Sequence, residues 1–289
     1  PRSTPKPSSS ASDVYKRQYP CDAIVNNVIS ENNGLGYSGT NSGGSLYIIS
    51  SVFKNNKGGL APNTLDSELL PPERETFIIG NLIENNNNTD APATQATNLS
   101  LGNGVVIAGG NNNIIKNNVI ANHNLYGVII TATADVNYWP AHGNRVESNL
   151  IINSKRADIA SSGLSNLGNC FENNYFNTSI PPGLQTLNNC DSSFYPLSAD
   201  LSGMWSSLAR VIQTSDGNYN QGDWRTFEAP ANQPNMPIMD ELISLGYDKT
   251  SLPVTKIWSS VKPAVEVFSQ YEDVLEQIEL PPEARNYLN

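Results

Sequence analysis

Three carboxylates, an arginine, two aromatic residues and a histidine fall in two loop-like stretches of this 289-residue chain, and together they are its best candidates for chemistry. Asp66 and Glu68 lie in the first stretch, which Arg74 closes. Asp135, Tyr138, Trp139 and His142 lie in the second. Glycoside hydrolysis needs two carboxyl groups roughly 5 to 9.5 Å apart, so Asp66, Glu68 and Asp135 are the candidate catalytic groups. Arg74 suits a lyase, where a base removes a proton beside a uronate carboxylate. Sugar rings stack on aromatic faces, which makes Tyr138 and Trp139, with Arg74 and His142, the candidate substrate-binding residues. Plainer readings stand beside these: Asp66 and Glu68 as turn caps, and Trp139-Pro140 as a loop anchor. His123 reads as a solvated turn residue, and Asp158 as a surface ion pair with Lys155 and Arg156. The sequence carries no cluster with metal-ligand spacing, no glycine-rich phosphate loop and no calcium-binding nonapeptide repeat, so no cofactor is implied.

The elements that must position these residues repeat. Asn27-Val28-Ile29, Ser51-Val52-Phe53, Asn81-Leu82-Ile83, Asn118-Val119-Ile120, Asn149-Leu150-Ile151 and Asn174-Tyr175-Phe176 start 24, 30, 37, 31 and 25 residues apart. Irregular periods above a floor in the low twenties indicate a solenoid with loop insertions. The runs between the asparagines are short, β-branched and aromatic, as strands require. Asparagine tolerates left-handed corners and can stack into an amide ladder. The expected fold class is all-β, a parallel β-helix over residues 19–190. An antiparallel sandwich would not repeat one corner motif six times. Ile29, Phe53, Ile83, Ile120, Ile151 and Phe176 should form one inward column.

A second alignment places Gly36, Gly59, Gly104, Gly127 and Ala157 at equivalent positions. The loops that follow leave one flank. Coils two and four carry the two long ones, and coil three has only Gly109-Gly110-Asn111-Asn112. Two tall walls about 10 Å apart over a glycine floor are therefore expected.

Charged residues make up only 15% of the chain and the formal charge is −10, which excludes a nucleic-acid partner. No apolar run approaches membrane-spanning length. Residues 1–18 read as a low-complexity, non-native leader. Residues 191–289 read as an irregular tail that packs on or caps the solenoid, with helices over 239–245 and 261–280. A Cys170–Cys190 bridge would close a loop of about twenty residues and leave Cys21 over. Three unrelated buried thiols are the alternative.

Pro20-Cys21-Asp22-Ala23-Ile24-Val25, Leu35-Gly36-Tyr37-Ser38-Gly39-Thr40-Asn41, Pro62-Asn63-Thr64-Leu65-Asp66-Ser67-Glu68, Val106-Ile107-Ala108-Gly109-Gly110 and Asn169-Cys170-Phe171-Glu172-Asn173-Asn174 resemble bacterial secreted right-handed parallel β-helix repeat proteins of the pectin-lyase-like superfamily. The resemblance implies a right-handed, single-stranded solenoid, an amino-terminally truncated start, and a secreted or cell-surface location. The superfamily's enzymes act on polysaccharides, although the paired aspartates of its polygalacturonases are absent here. The expectation for function is a monomer that engages a polysaccharide or cell-envelope glycan along the coil-two to coil-four flank, with lyase or glycoside hydrolase action as its catalytic form. A non-catalytic envelope scaffold is the alternative.

Overall fold

A computed structural model describes residues 23–66, 71–91, 100–163, 167–191 and 278–288. Cys21, Glu68, the leader and most of the tail, including the helix expected over 239–245, lie outside these residues. So does all but the end of the helix expected over 261–280, and its last three residues, 278–280, are not helical.

The fold is an all-β parallel solenoid in which each coil adds one strand to each of three sheets. Coil one supplies β1 (Ala23–Asn26), β2 (Ile29–Glu31) and β3 (Leu35–Thr40). Coil two supplies β4 (Gly43–Ile49), β5 (Val52–Lys54) and β6 (Gly58–Asn63), and coil three β7 (Arg74–Ile79), β8 (Leu82–Glu84) and β9 (Val105–Ala108). Coil four gives β10 (Ile114–Lys116), β11 (Val119–Ala121) and β12 (Tyr126–Thr131), then a hairpin of β13 (Thr133–Ala134) and β14 (Tyr138–Trp139). Coil five gives β15 (Arg145–Glu147), β16 (Leu150–Ile152) and β17 (Ala157–Ser162). Coil six gives β18 (Cys170–Glu172), a bridge from Tyr175 to Leu150, and β19 (Ser179–Ile180). The sheet orders β1-β4-β7-β10-β15-β18, β2-β5-β8-β11-β16 and β3-β6-β9-β12-β17-β19 follow the coils in sequence.

Asparagine doublets turn two of the corners. The first member of each doublet takes the left-handed conformation. At the corner entering the second sheet these are Asn27, Ser50, Gly80, Asn117, Ser148 and Asn173, and at the corner leaving it Asn32, Asn55, Asn85, Asn122 and Asn153. The second member turns its side chain inward as a ladder rung. The N–H and Nδ2 of Asn81 both donate to Asn118 Oδ1, and the same pair of bonds links Asn118 to Asn149 and Asn149 to Asn174. Gln185, on the short helix α1 (Leu184–Leu187), ends the ladder by accepting from both donors of Asn174. A second ladder runs through Asn113, Asn144 and Asn169, and a third through Asn33, Asn56 and Asn86.

The inward column reads Ser30, Phe53, Ile83, Ile120 and Ile151, with Phe176 packed against it. Ile29 is a correction. It pairs with Val52, on the outer face, and is 61% exposed. Asn27 is the left-handed corner residue, so the ladder position falls on Val28, whose N–H donates to Ser51 Oγ. A one-residue slip in a strand reverses the face of every side chain.

His123 is also corrected. It continues the third ladder after Asn86, is buried, and contacts Ile83 O through Nε2, in the place where Asn86 Nδ2 contacts Phe53 O. Burial pushes its pKa down to about 4. The glycine column exists to admit these rungs. A Cβ on Gly36, Gly59, Gly104 or Gly127 would lie 2.9, 3.1, 2.7 or 3.0 Å from Asn56 Nδ2, Asn86 Nδ2, His123 Nε2 or Ser154 Oγ. The fifth member is Asp158, not Ala157, because Ala157 pairs with Tyr126. Asp158 is buried and accepts from the main-chain N–H groups of Ser154, Asn177 and Thr178, so it is no surface ion pair.

Cys170 and Cys190 form a disulfide with Cα atoms 4.8 Å apart. The bond points to an oxidising compartment. Among the described residues no helix is long and apolar enough to cross a membrane. Residues 278–288, with a 3-10 helix over Pro282–Tyr287, lie on the outer face of the second sheet. There Leu280, Ala284 and Tyr287 cover Val52, Leu82 and Val119. Gly80 makes room for this segment, since a Cβ there would meet Ile278 Cγ2 at 2.4 Å.

Two outcomes test this register and ladder. Ile120→Ala should cost about 2 to 5 kcal/mol in denaturant unfolding, and Ile29→Ala about 0.5 kcal/mol or less; equal costs would overturn the register. His123 is held neutral below its unfolded pKa of 6.5. The stability it contributes is therefore full above 6.5 and is lost as pH falls towards about 4. His123→Asn should remove that loss in melts taken across the interval.

Candidate functional site

The two long loops do leave one flank, but they do not stand apart as walls. Coil two leaves β6 at Thr64, whose N–H donates to Ala108 O and whose hydroxyl donates to Gly109 O. Coil four leaves β12 and folds back as the antiparallel β13–β14 hairpin, with Thr133 opposite Trp139 and Ala134 opposite Tyr138. The loops then meet. Asp66 N–H donates to Asp135 Oδ2 at 2.8 Å. Asn137 donates back to Asp66, from N–H to Oδ2 at 2.8 Å and from Nδ2 to Oδ1 at 2.6 Å. The expected groove is thus roofed over coil three.

The sequence places the residues on the correct flank but misses what the carboxylates do there. Asp66 and Asp135 are brought together as acceptors for loop main chain. The Asn137 main-chain and side-chain donors hold the Asp66 carboxyl below its ordinary range. The Trp139 indole nitrogen also favours the anion, although it is buried and makes no full hydrogen bond. Trp139 lies on Gly109, where a Cβ would meet Trp139 Cβ at 2.9 Å and Thr133 Cβ at 3.3 Å. It anchors the hairpin, while its neighbour Tyr138 is 41% exposed. Glu68 lies outside the described residues.

Arg74 begins β7, one corner away, and donates from a guanidinium nitrogen to Pro72 O at 3.3 Å. His142 belongs to the turn into coil five. Its N–H donates to Asn111 Oδ1 and its Nδ1 accepts from Leu167 N–H, so its ring clamps that turn. Neither residue is bonded to the Asp66–Asn137 bridge.

Glu73 is the residue that the sequence reading passed over. It is wholly buried beneath the roof, and its carboxyl accepts from Thr76 Oγ1 at 2.7 Å and Asn113 Nδ2 at 2.9 Å. Burial pushes its pKa up to about 7 against the effect of both donors. The available signal was the Gly109-Gly110 doublet: a Cβ on Gly110 would lie 1.9 Å from Glu73 Oε2.

Elsewhere Glu147, Glu172 and Cys190 converge. They are not a metal centre, because the Cys190 sulfur is bonded to Cys170 and Glu147 pairs with Lys116 and Arg145. No protein-family model, no curated protein and no solved structure matches the chain.

Asp66→Ala removes the acceptor for both Asn137 donors. Amide exchange at Asn137 should then accelerate about tenfold or more, with no change at the buried Asn118 and Asn149 rungs. An unchanged Asn137 amide would mean that the hairpin stands without the bridge.

Proposed function

We propose that this chain is a secreted right-handed parallel β-helix protein of the pectin-lyase-like type, and that it binds a polysaccharide along the coil-two to coil-four flank. The observation that carries the reading is the reciprocal bonding of Asp66 with Asp135 and Asn137. It fixes two long loops as one ridge, on whose hairpin Tyr138 is partly exposed. A preorganised aromatic beside amide and carboxylate groups suits a sugar ring and its hydroxyls, and little ordering is left to oppose binding. The disulfide supports the secreted location. The weakly charged, acidic composition favours a neutral or locally cationic glycan over a polyanion.

The ridge is better suited to binding than to hydrolysis or elimination. Asp66 is held as the anion by two donors of Asn137, which suits neither a general acid nor a base that must take up a proton. Glu73 is protonatable near neutrality but sits beneath the ridge, out of reach of a polymer. One observation favours an envelope scaffold instead: Trp139 is turned onto Gly109 as an anchor, so Tyr138 is the ridge's main aromatic face.

A panel of neutral and uronate polysaccharides separates the two. Tyr138→Ala should weaken binding about tenfold, equivalent to roughly 1.4 kcal/mol, while Ile29→Ala on another face should not. If the parent protein retains no glycan in the panel, the binding reading fails and the scaffold stands.

A further inference from the structure

The coil-two excursion is closed at its base by Glu73, a carboxyl group that does not meet solvent. Its N–H donates to Thr64 Oγ1 at 3.0 Å, and that hydroxyl donates onward to Gly109 O at 2.6 Å. The two ends of the excursion are therefore joined to each other and to coil three. The carboxyl itself reaches Thr76 on β7 and Asn113, the first rung of the ladder through Asn144 and Asn169. It occupies the space that Gly110 leaves open. The neighbouring Gly109 carries Trp139 and with it the coil-four hairpin. The Glu73 main chain thus joins the two ends of the excursion, while its side chain packs on the short coil-three turn and bonds a coil-four rung.

We infer that Glu73 is a protonation-controlled pin: as the neutral acid it holds the base of the excursion and the Asp66–Asn137 contact in place, and as the carboxylate it releases them. The physical basis is desolvation. An ionised carboxylate without water is costly unless paired, and two neutral donors compensate only part of that cost. The charged neighbours that act on it are Arg74, which favours the anion, and Glu75, which opposes it. Among the described residues, the others packed against it, Thr64, Thr76 and the Gly109-Gly110-Asn111-Asn112-Asn113 turn, carry no charge. Thr76 can accept as well as donate, so the network tolerates the acid form. With the pKa raised from 4.5 to about 7, the change falls at neutrality. A carboxyl raised in the folded state contributes its stabilisation fully below 4.5 and loses it as pH rises through about 7. Release frees Asp66 from Asn137, so the ridge is ordered in mild acid and loosened in mild alkali. This rests on the proposed binding reading only for what the ridge does, not for its release.

The test needs no glycan. Carboxyl carbon shifts of labelled glutamate and amide protection at Asp66 and Asn137 are followed in the full chain from about pH 5 to about pH 8.5, with intrinsic exchange corrected. One glutamate carboxyl should titrate near 7, and protection at both amides should fall about tenfold or more as pH rises from about 5 to about 7 and level off above it. Glu73→Gln should stay protected throughout, and His142→Gln should keep the transition, which separates Glu73 from the one histidine near the ridge. The pin is overturned if no glutamate titrates above about pH 6, if the carboxyl titrates while both amides stay protected, or if Glu73→Gln still loses protection. Should Glu73→Gln not fold, the two measurements on the parent decide alone. A protein that passes this test and binds no glycan keeps the pin and loses only the binding reading.

Discussion

Paired donation from one buried asparagine to the carboxamide oxygen of the next holds this solenoid in register. Each rung of the ladder from Asn81 to Asn174 gives both its main-chain N–H and its Nδ2 to one oxygen in the following coil, while Nδ2 also reaches a carbonyl in the preceding coil, as Asn118 does with Ile78. A buried polar group left unpaired costs about 1 to 3 kcal/mol, so a rung shifted by one residue would orphan several groups at once. The ladders set the corners, the corners set the strand register, and the register decides which side chains enter the apolar column. The glycine column follows from the same demand, since each glycine faces the rung of the next coil.

Among the fully buried described residues, His123 and Glu73 carry large pKa shifts, and they act in opposite directions. His123 takes up a proton on unfolding between about 4 and 6.5, so its contribution falls with acid. Glu73 releases a proton on unfolding between 4.5 and about 7, so its contribution falls with alkali. Over most of the shared interval the two slopes are equal in size and opposite in sign. The contributions of these two residues therefore nearly cancel there, although each alone is strongly pH-dependent. The two differ in where the strain is felt. His123 lies inside a ladder, where opening means losing the coil. Glu73 lies at the base of an excursion, where opening can stay local.

The solenoid was legible because its signal recurs. Repeated corner asparagines and apolar doublets announced a parallel stack, and the spacing of Cys170 and Cys190 announced their bond. The slips came where the repeat degenerates. Asn27 matched the motif by type, yet it is a left-handed corner followed by Val28 in place of a rung. His123 stands where the three preceding coils have asparagine, and composition alone gave no reason to see an imidazole doing an amide's work. Asp158 stands where four coils have glycine. In each case one residue type serves two roles, and only the stacked neighbour decides which.

The site was less legible for a different reason. Loop lengths showed that coils two and four project beside a short coil three, but the distance between loop tips is not encoded by repeat spacing. A gap of two coil steps is small enough for a seven-residue hairpin and the eight residues between Thr64 and Glu73 to bridge, and unpaired loop N–H groups will take any acceptor within reach. Asp66 and Asp135 supply those acceptors. Carboxylates on facing loops therefore do two incompatible things: they can bind the opposite loop, or they can stay open for a substrate. Here the main chain of the opposite loop has taken them. What the joined loops leave over is Tyr138, partly exposed on the hairpin, and Glu73, buried at the base of the excursion.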